Sequence, residues 1–352
     1  MNLSRLFAFT LASSFAVFSF GFAQELSQTD ATKAGADFAL QGEYEGSEYL
    51  EPGSNKFGAA RRRHALRWWR RTASLEPSSK KFGAQVVAKG DGKFMIKVHT
   101  GGLPGQAGFD PSVKPMLLTA ETKDGKVEIT GKDISGTIQN GKLTLKDNMK
   151  LDLAMAKVER TSPSIGKAAP EGAVVLFDGK NADEWNNGKL IEDNLLNNGI
   201  SSKKKFTNFT MHMEFRLPYM PKASGQGRGN SGLYLQDRYE VQILDSFGLE
   251  GKNNECGGIY TQFEPSVNAC FPPLVWQTYD INYVAAKFDE AGKKIAPAEA
   301  TIFHNGIKIH DKIQFKGSTG GGKPETNDAG AFQLQNHGNP VYFRNIWVLE
   351  SK

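Results

Sequence analysis

Residues 229–246 read GNSGLYLQDRYEVQILDS. The runs SGLYLQ and YEVQILD are short, rich in β-branched and aromatic residues, and bounded by Gly and Asp, which predicts strands. Side chains alternate along a strand, so Val241 and Ile243 take one face while Glu240 and Gln242 take the other. Strict alternation sends Asp245 to the apolar side, and a single β-bulge near Leu244 would return it to the polar face. With that bulge, Glu240, Gln242 and Asp245 line up as Glu-x-Gln-x-x-Asp on a strand whose other face enters a core.

The same period extends outward in both directions. In TMHMEFRL (210–217) Met211, Met213, Phe215 and Leu217 oppose His212, Glu214 and Arg216. In AFQLQNHG (331–338) Phe332 and Leu334 oppose Gln333, Gln335 and His337. Further strand-like runs include WQTYDINYVA, ATIFH, IKIHDKI and VYFRNIWVLE, with Asn305-Gly306 as a two-residue hairpin turn. No long amphipathic helix separates them. The expectation for residues 172–352 is therefore an all-β sandwich or jelly roll, not a parallel α/β sheet.

Upstream, Asp91-Gly92, Asp124-Gly125 and Asn140-Gly141 sit between short alternating runs and mark tight hairpins. They predict a small antiparallel β-domain over residues 24–160. TSPSIGKAAPEG then reads as a linker over 161–171, poor in large apolar residues and rich in Pro, Ser and Gly. Residues 1–23 carry Arg5, an apolar run and a small-residue end at Gly21-Phe22-Ala23, the pattern of a secretory signal. The expected location is periplasmic or extracellular, with no transmembrane anchor in the mature protein.

The chain has 352 residues and a formal charge of +5. Six arginines fall in the one segment RRRHALRWWRRT, inside an insertion at about residues 46–81. Without them and Arg5 the remainder is slightly acidic, which argues against a nucleic-acid partner. The insertion is either an exposed, solvated loop or, through Trp68 and Trp69 among the arginines, a surface-association element. Only two cysteines are present, Cys256 and Cys270. In an oxidising compartment they are expected to form a disulfide, closing a short loop and contributing roughly 3 kcal/mol in the chain-entropy model. Cysteine and histidine spacing typical of a zinc site is absent.

Polar strand faces that combine His, Glu, Arg, Gln, Asn and Tyr offer the planar amides and aromatic rings that sugar hydroxyls and ring faces require. A plainly solvated face is the alternative. The Glu240 to Asp245 spacing also resembles the Glu-x-Asp-x-x-Glu strand of family 16 glycoside hydrolases, with an amide replacing the middle carboxylate and a shorter third one. A direct retaining mechanism requires two carboxylates about 5 Å apart, and these changes do not favour it.

Taken together, MEFRLP, GRGNSGLYLQDRYEVQILDSFG, ECGGIY, NACFPPLVWQTYDI, TIFHNGIKIH and LQNHGNPVYFRNIW resemble the 3-keto-disaccharide hydrolase domain of exported bacterial proteins, over roughly residues 172–350. The resemblance implies a concanavalin-like sandwich and cleavage of glycosides oxidised at sugar C3. A ketone at C3 acidifies the hydrogen on C2, so one base, one proton donor and an enolate stabiliser suffice for elimination of the C1 substituent and hydration. On this reading Glu240 or Asp245 is the base and His337 the donor or electrophile. Glu214, Arg216, Asn230, Gln242, Gln335 and Arg344 contact the carbohydrate. Asp245, Glu240 and His337 could alternatively hold a divalent cation that polarises the ketone; no cofactor is otherwise implied. A carbohydrate-binding module without catalysis is the competing function on the same sandwich.

Overall fold

The computed structural model describes residues 27–48, 80–147 and 152–351. The expected signal segment and most of the Arg/Trp insertion lie outside the described residues. Among the described residues no helix is long and apolar enough to cross a membrane.

Eight antiparallel strands form a closed barrel: β1 (Gly42–Glu48), β2 (Lys80–Gly90), β3 (Lys93–Thr100), β4 (Met116–Lys123), β5 (Lys126–Thr130), β6 (Ile134–Gln139), β7 (Lys142–Asp147) and β8 (Asp152–Val158). Each strand pairs with the next, and β1 closes the ring on β8. The expected turns make the hairpins: Asp91-Gly92, Asp124-Gly125 and Asn140-Gly141 all take positive φ, as tight hairpins between right-twisted strands require. Alternating residues, among them Tyr44, Ile96, Val127 and Leu145, fill the interior. Glu48 and Lys80 are register partners, so the Arg/Trp insertion enters at the tip of the β1–β2 hairpin.

A short helix, Gly35–Leu40, precedes β1. Its Phe38 stands edge-on to Tyr219 at 5.1 Å. Tyr219 comes from the second unit yet packs in the barrel's core cluster, with Leu274 beside it. The two units therefore share apolar packing.

The second unit is a two-sheet sandwich, as expected. A five-stranded sheet runs in the order Trp185–Asn186, Ile200–Ser202, Gln333–Leu334, Asn230–Leu235, Tyr239–Leu244. The larger sheet is centred on Asn208–Arg216, flanked by Tyr342–Ser351 and Trp276–Val284. Met211, Met213 and Phe215 from one sheet meet Leu233, Val241, Ile243 and Leu334 from the other, all buried. Each such side chain contributes about 1.5–3 kcal/mol on leaving water. The core faces read from sequence parity are thus the ones that face inward.

The outer face of the larger sheet is sealed by the segment that joins the two units. Ser162 Oγ lies 2.6 Å from Thr278 Oγ1, Ser164 Oγ donates to Asp280 Oδ2 at 2.6 Å, and Gly166 N donates to Glu214 Oε1 at 2.6 Å. Small residues with hydroxyls and a free backbone N–H let this segment lie flat on a polar sheet face and satisfy it.

Cys256 and Cys270, expected to pair, are free, buried thiols in this structure. The two side chains hydrogen-bond each other in the sandwich interior, and Cys256 Sγ also lies 3.3 Å from Tyr279 Oη and Cys270 Sγ 3.4 Å from the Phe271 carbonyl. Unfolding the protein in denaturant without reductant should expose two titratable thiols; none would show that the bridge is formed.

Candidate functional site

Directly opposed residues of an antiparallel pair lie on the same face. The unbroken register from Leu235↔Tyr239 to Asn230↔Leu244 therefore places Asn230, Gly232 and Tyr234 beside Gln242 and Glu240 on the outer face of the five-stranded sheet. The pairing Tyr234↔Gln333 adds Gln333, with Gln335 two residues further on. Ser201 and Asn186 continue this polar face toward the sheet edge.

Glu240 is the centre of the face. It is only 2% exposed. The hydrogen bond to its carboxylate comes from the Tyr234 hydroxyl, 2.9 Å from Oε2. Burial raises its pKa from 4.5 to about 7, and the Tyr234 hydrogen bond offsets part of that rise. Burial also raises the Tyr234 phenol, as does the adjacent Glu240 charge. The Tyr234 hydroxyl is further placed by the Gly320 carbonyl at 2.8 Å and by Gln335 Nε2 at 3.4 Å. Two buried acceptors on the same face, Asn230 Oδ1 and Gln335 Oε1, have no hydrogen-bond partner. Orphan buried acceptors are costly unless a ligand supplies donors.

Glycine at 232 follows from this arrangement. A β-carbon there would stand 2.2 Å from Glu240 Oε1. Gly232→Ala is therefore expected to push the carboxylate off Tyr234 and reduce activity at least tenfold while the protein remains folded, because the displaced atoms end a flexible side chain. Circular dichroism beside a turnover assay checks both halves.

Gln242 is held from the side by Gln226 Oε1 at 3.2 Å and the Asn254 carbonyl at 3.4 Å. Asn230 Nδ2 donates to the Gln226 carbonyl at 2.9 Å. The segment around Gln226 thus roofs one side of the face, and the 252–261 segment another.

Several expectations change. No bulge interrupts the register near Leu244, and Asp245 N continues the ladder to the Gly229 carbonyl at 2.8 Å. Asp245 keeps the parity opposite to Glu240 and is buried in an ion pair, its Oδ2 accepting from Arg228 Nη2 at 2.7 Å and Nε at 3.1 Å. Five residues of extended chain separate the two carboxylates by about 16 Å along the strand. Asp245 therefore anchors Arg228 and, with it, the Gln226 segment. His337 lies in an exposed turn, with no hydrogen bond to either carboxylate. The expected Glu240, Asp245, His337 constellation does not assemble.

Glu214, Arg216 and Arg344 belong to the other sheet, on its outer face, where Gly166 of the 162–167 segment donates to Glu214. Glu214 takes Arg344 Nε at 2.6 Å and Asn345 Nδ2 at 2.9 Å, and His212 bridges toward it and Asp280. Arg216 and Arg344 both lie over the Trp276 ring, the latter at 4.0 Å. Burial works against charge on Glu214 and Asp280, but their partners outweigh it and hold both near 2. These are groups of a closed structural network, not of the Glu240 face.

Among the described residues no three His, Cys, Asp or Glu side chains converge as a metal-binding set. Glu240 is engaged by Tyr234 and Asp245 by Arg228, so the residues expected to hold a divalent cation do not fit one. Sequence reading also missed Tyr234 and Gln226. Tyr234 shares parity with Asn230 and Gly232 and could have been found from that signal; Gln226 carries none.

Residues 172–349 match the family described as the 3-keto-alpha-glucoside-1,2-lyase-like domain. No curated protein matches the chain. Among solved structures, a protein of Parabacteroides distasonis ATCC 8503 named as a candidate glycosyl hydrolase is 35% identical over 52% of this chain and 85% of its own, with a TM-score of 0.48. A second from the same organism, named likewise, is 21% identical over 53% of this chain and 99% of its own, with a TM-score of 0.38. By the match of its sandwich, which spans half of its length, the chain belongs to the 3-keto-alpha-glucoside-1,2-lyase-like family, and its function is glycoside-related.

Proposed function

We propose that the sandwich cleaves glycosides already oxidised to a ketone at C3, by elimination across C1–C2 followed by hydration. The observation that carries this is Glu240: a buried carboxylate poised near neutral pH, in contact with a phenol, beside two acceptors that await donors. A base of this kind is matched to a carbon acid at neutral pH. Substrate hydroxyls would donate to Asn230 Oδ1 and Gln335 Oε1, entering from the half-open Gln333 and Gln335 side.

Glu240 takes the C2 hydrogen as a proton, and the C–H pair moves into C2–C3 while the carbonyl pair moves onto the C3 oxygen. When C3=O re-forms, the pair passes into C1–C2 and the C1–O bond breaks with its electrons on the leaving oxygen. That oxygen takes a proton from Tyr234, which recovers one from protonated Glu240. Water then adds across C1=C2. One base and its hydrogen-bonded phenol complete the proton balance without Asp245 or His337.

The test is incubation of the protein with a 3-keto-disaccharide, following release of the second sugar. Release by the wild type and its loss in Glu240→Gln support the reading. Saturable binding with no release by the wild type would instead make the sandwich a carbohydrate-binding module.

A further inference from the structure

Between the barrel and the sandwich lies a cleft of about 570 Å³ that the Glu240 chemistry does not use. Its barrel wall comes from β2, β3 and the 104–117 segment; its sandwich wall comes from residues 249–251 and 264–268. We infer that this cleft binds a neutral saccharide, at a second site built jointly by the two units.

Four observations favour that occupant. The volume is in the range that holds a small ligand. One part of the lining is apolar, with Phe109, Pro104, Pro111 and Pro115, and the Phe109 ring stands edge-on to His99 at 5.4 Å, side chains of the kind that receive a sugar ring face. Val113 and Leu117, 45% and 63% exposed, extend it to the rim, where none of the described residues buries them. The floor offers uncharged polar groups. Gln85 and His99 are both buried, with Gln85 Oε1 3.3 Å from His99 Nε2. Burial lowers the His99 pKa to about 4, with Lys97 adding to the effect, so the ring is neutral and its Nε2–H serves the amide. Among the described residues no hydrogen bond then engages Gln85 Nε2 or His99 Nδ1, which leaves one donor and one acceptor on two residues that line the cleft. Neighbouring sugar hydroxyls need that pairing.

The charges at the cleft balance. Lys97 and Lys114 stand with Glu250 and Glu264. Neither an anion nor a cation is favoured by such a set. The choice of a saccharide over other neutral polyols rests on the glycoside-related reading of the sandwich. The sandwich wall of the cleft is also continuous with the roof of the Glu240 face: Glu255 Oε2 accepts from Gly251 N and Lys252 N, and Asn254 O receives Gln242 Nε2. A glycan held here would therefore lie on the back of the segment that frames the reacting sugar.

The probe is the unoxidised disaccharide maltose, titrated into the full chain by isothermal calorimetry and followed by saturation-transfer NMR. Wild-type protein is expected to bind it with millimolar affinity. Phe109→Ala, which removes the aromatic ring of the lining, and Ser266→Arg, which fills the mouth from an exposed position, should each weaken binding at least tenfold. No binding by the wild type up to 50-fold above about 1 mM, a range set by ordinary weak-ligand affinities, overturns the inference. So does binding that survives both cleft substitutions. The readout is binding of a sugar that lacks the C3 ketone, so either failure leaves turnover at Glu240 untouched.

Discussion

Glu240→Gln should lower kcat on a 3-keto-glycoside by about 10²–10⁴-fold and, at the same time, make the protein more stable. The sign follows from burial. The folded-state carboxyl titrates at about 7 and the unfolded one near 4.5, so the folded state binds the proton more tightly. Stability associated with that proton is fully present below about 4.5 and lost as pH rises through about 7. At pH 8 the wild type holds a buried charge at a cost of roughly 3 kcal/mol, which the amide relieves. Denaturant midpoints for the two proteins should therefore be nearly equal at pH 4, separate between pH 4.5 and 7, and stay apart above that. A substitution that removed only a structural hydrogen bond would destabilise at every pH. A gain in stability coupled to a loss of turnover is the mark of a group kept in an unfavourable environment for its chemistry.

Glu214→Ala is expected to have the opposite profile. It removes the carboxylate that joins His212, Asn345, Arg344 and the backbone of Gly166, and leaves buried partners unpaired. Breaking a buried network of this kind costs about 3–5 kcal/mol. Glu214 and Asp280 titrate near 2 when folded, so their stabilisation is present above about 4.5 and 3.8 and disappears as pH falls toward 2. Burial resists protonation of His212, but Asp280 and Glu214 outweigh it and raise its pKa. Its contribution is present below about 6.5 and fades as pH rises through the folded value. The destabilisation by Glu214→Ala should thus be largest between about pH 4.5 and 6.5 and shrink toward pH 2, in urea unfolding followed by fluorescence. KM for the glycoside should not change, since Glu214 lies on the opposite sheet.

The contrast between Glu240 and Glu214 shows where sequence reading stops. Alternation in TMHMEFRL and YEVQILD assigns core and polar faces correctly, because burying Met211, Met213, Val241 and Ile243 outweighs any local preference. Hairpin turns such as Asp91-Gly92 are equally legible, since Asp, Asn and Gly accept positive φ most readily, although Gln236 also takes it in the turn between Leu235 and Tyr239. Parity cannot say which sheet a polar face belongs to. The polar face of TMHMEFRL, with Glu214 and Arg216, lies on the sheet opposite Glu240, and the 162–167 segment, which reads as a plain linker, meets it at Glu214. The bulge was inferred to bring Asp245 to Glu240. The ladder instead runs through unbroken, and Arg228, two residues ahead of the strand Asn230–Leu235, satisfies Asp245 where it stands. Partners supplied by loops, such as Arg228, Gln226 and Gly320, leave no periodic trace.

The central claim is that Glu240 removes the C2 hydrogen. Its most direct test is a 3-keto-glucoside carrying deuterium at C2, incubated with wild type and Glu240→Gln in ordinary water and followed by NMR. The account predicts that the wild type washes the deuterium out of the sugar and that the variant retains it over the same time. Deuterium loss at equal rates in both proteins would contradict it.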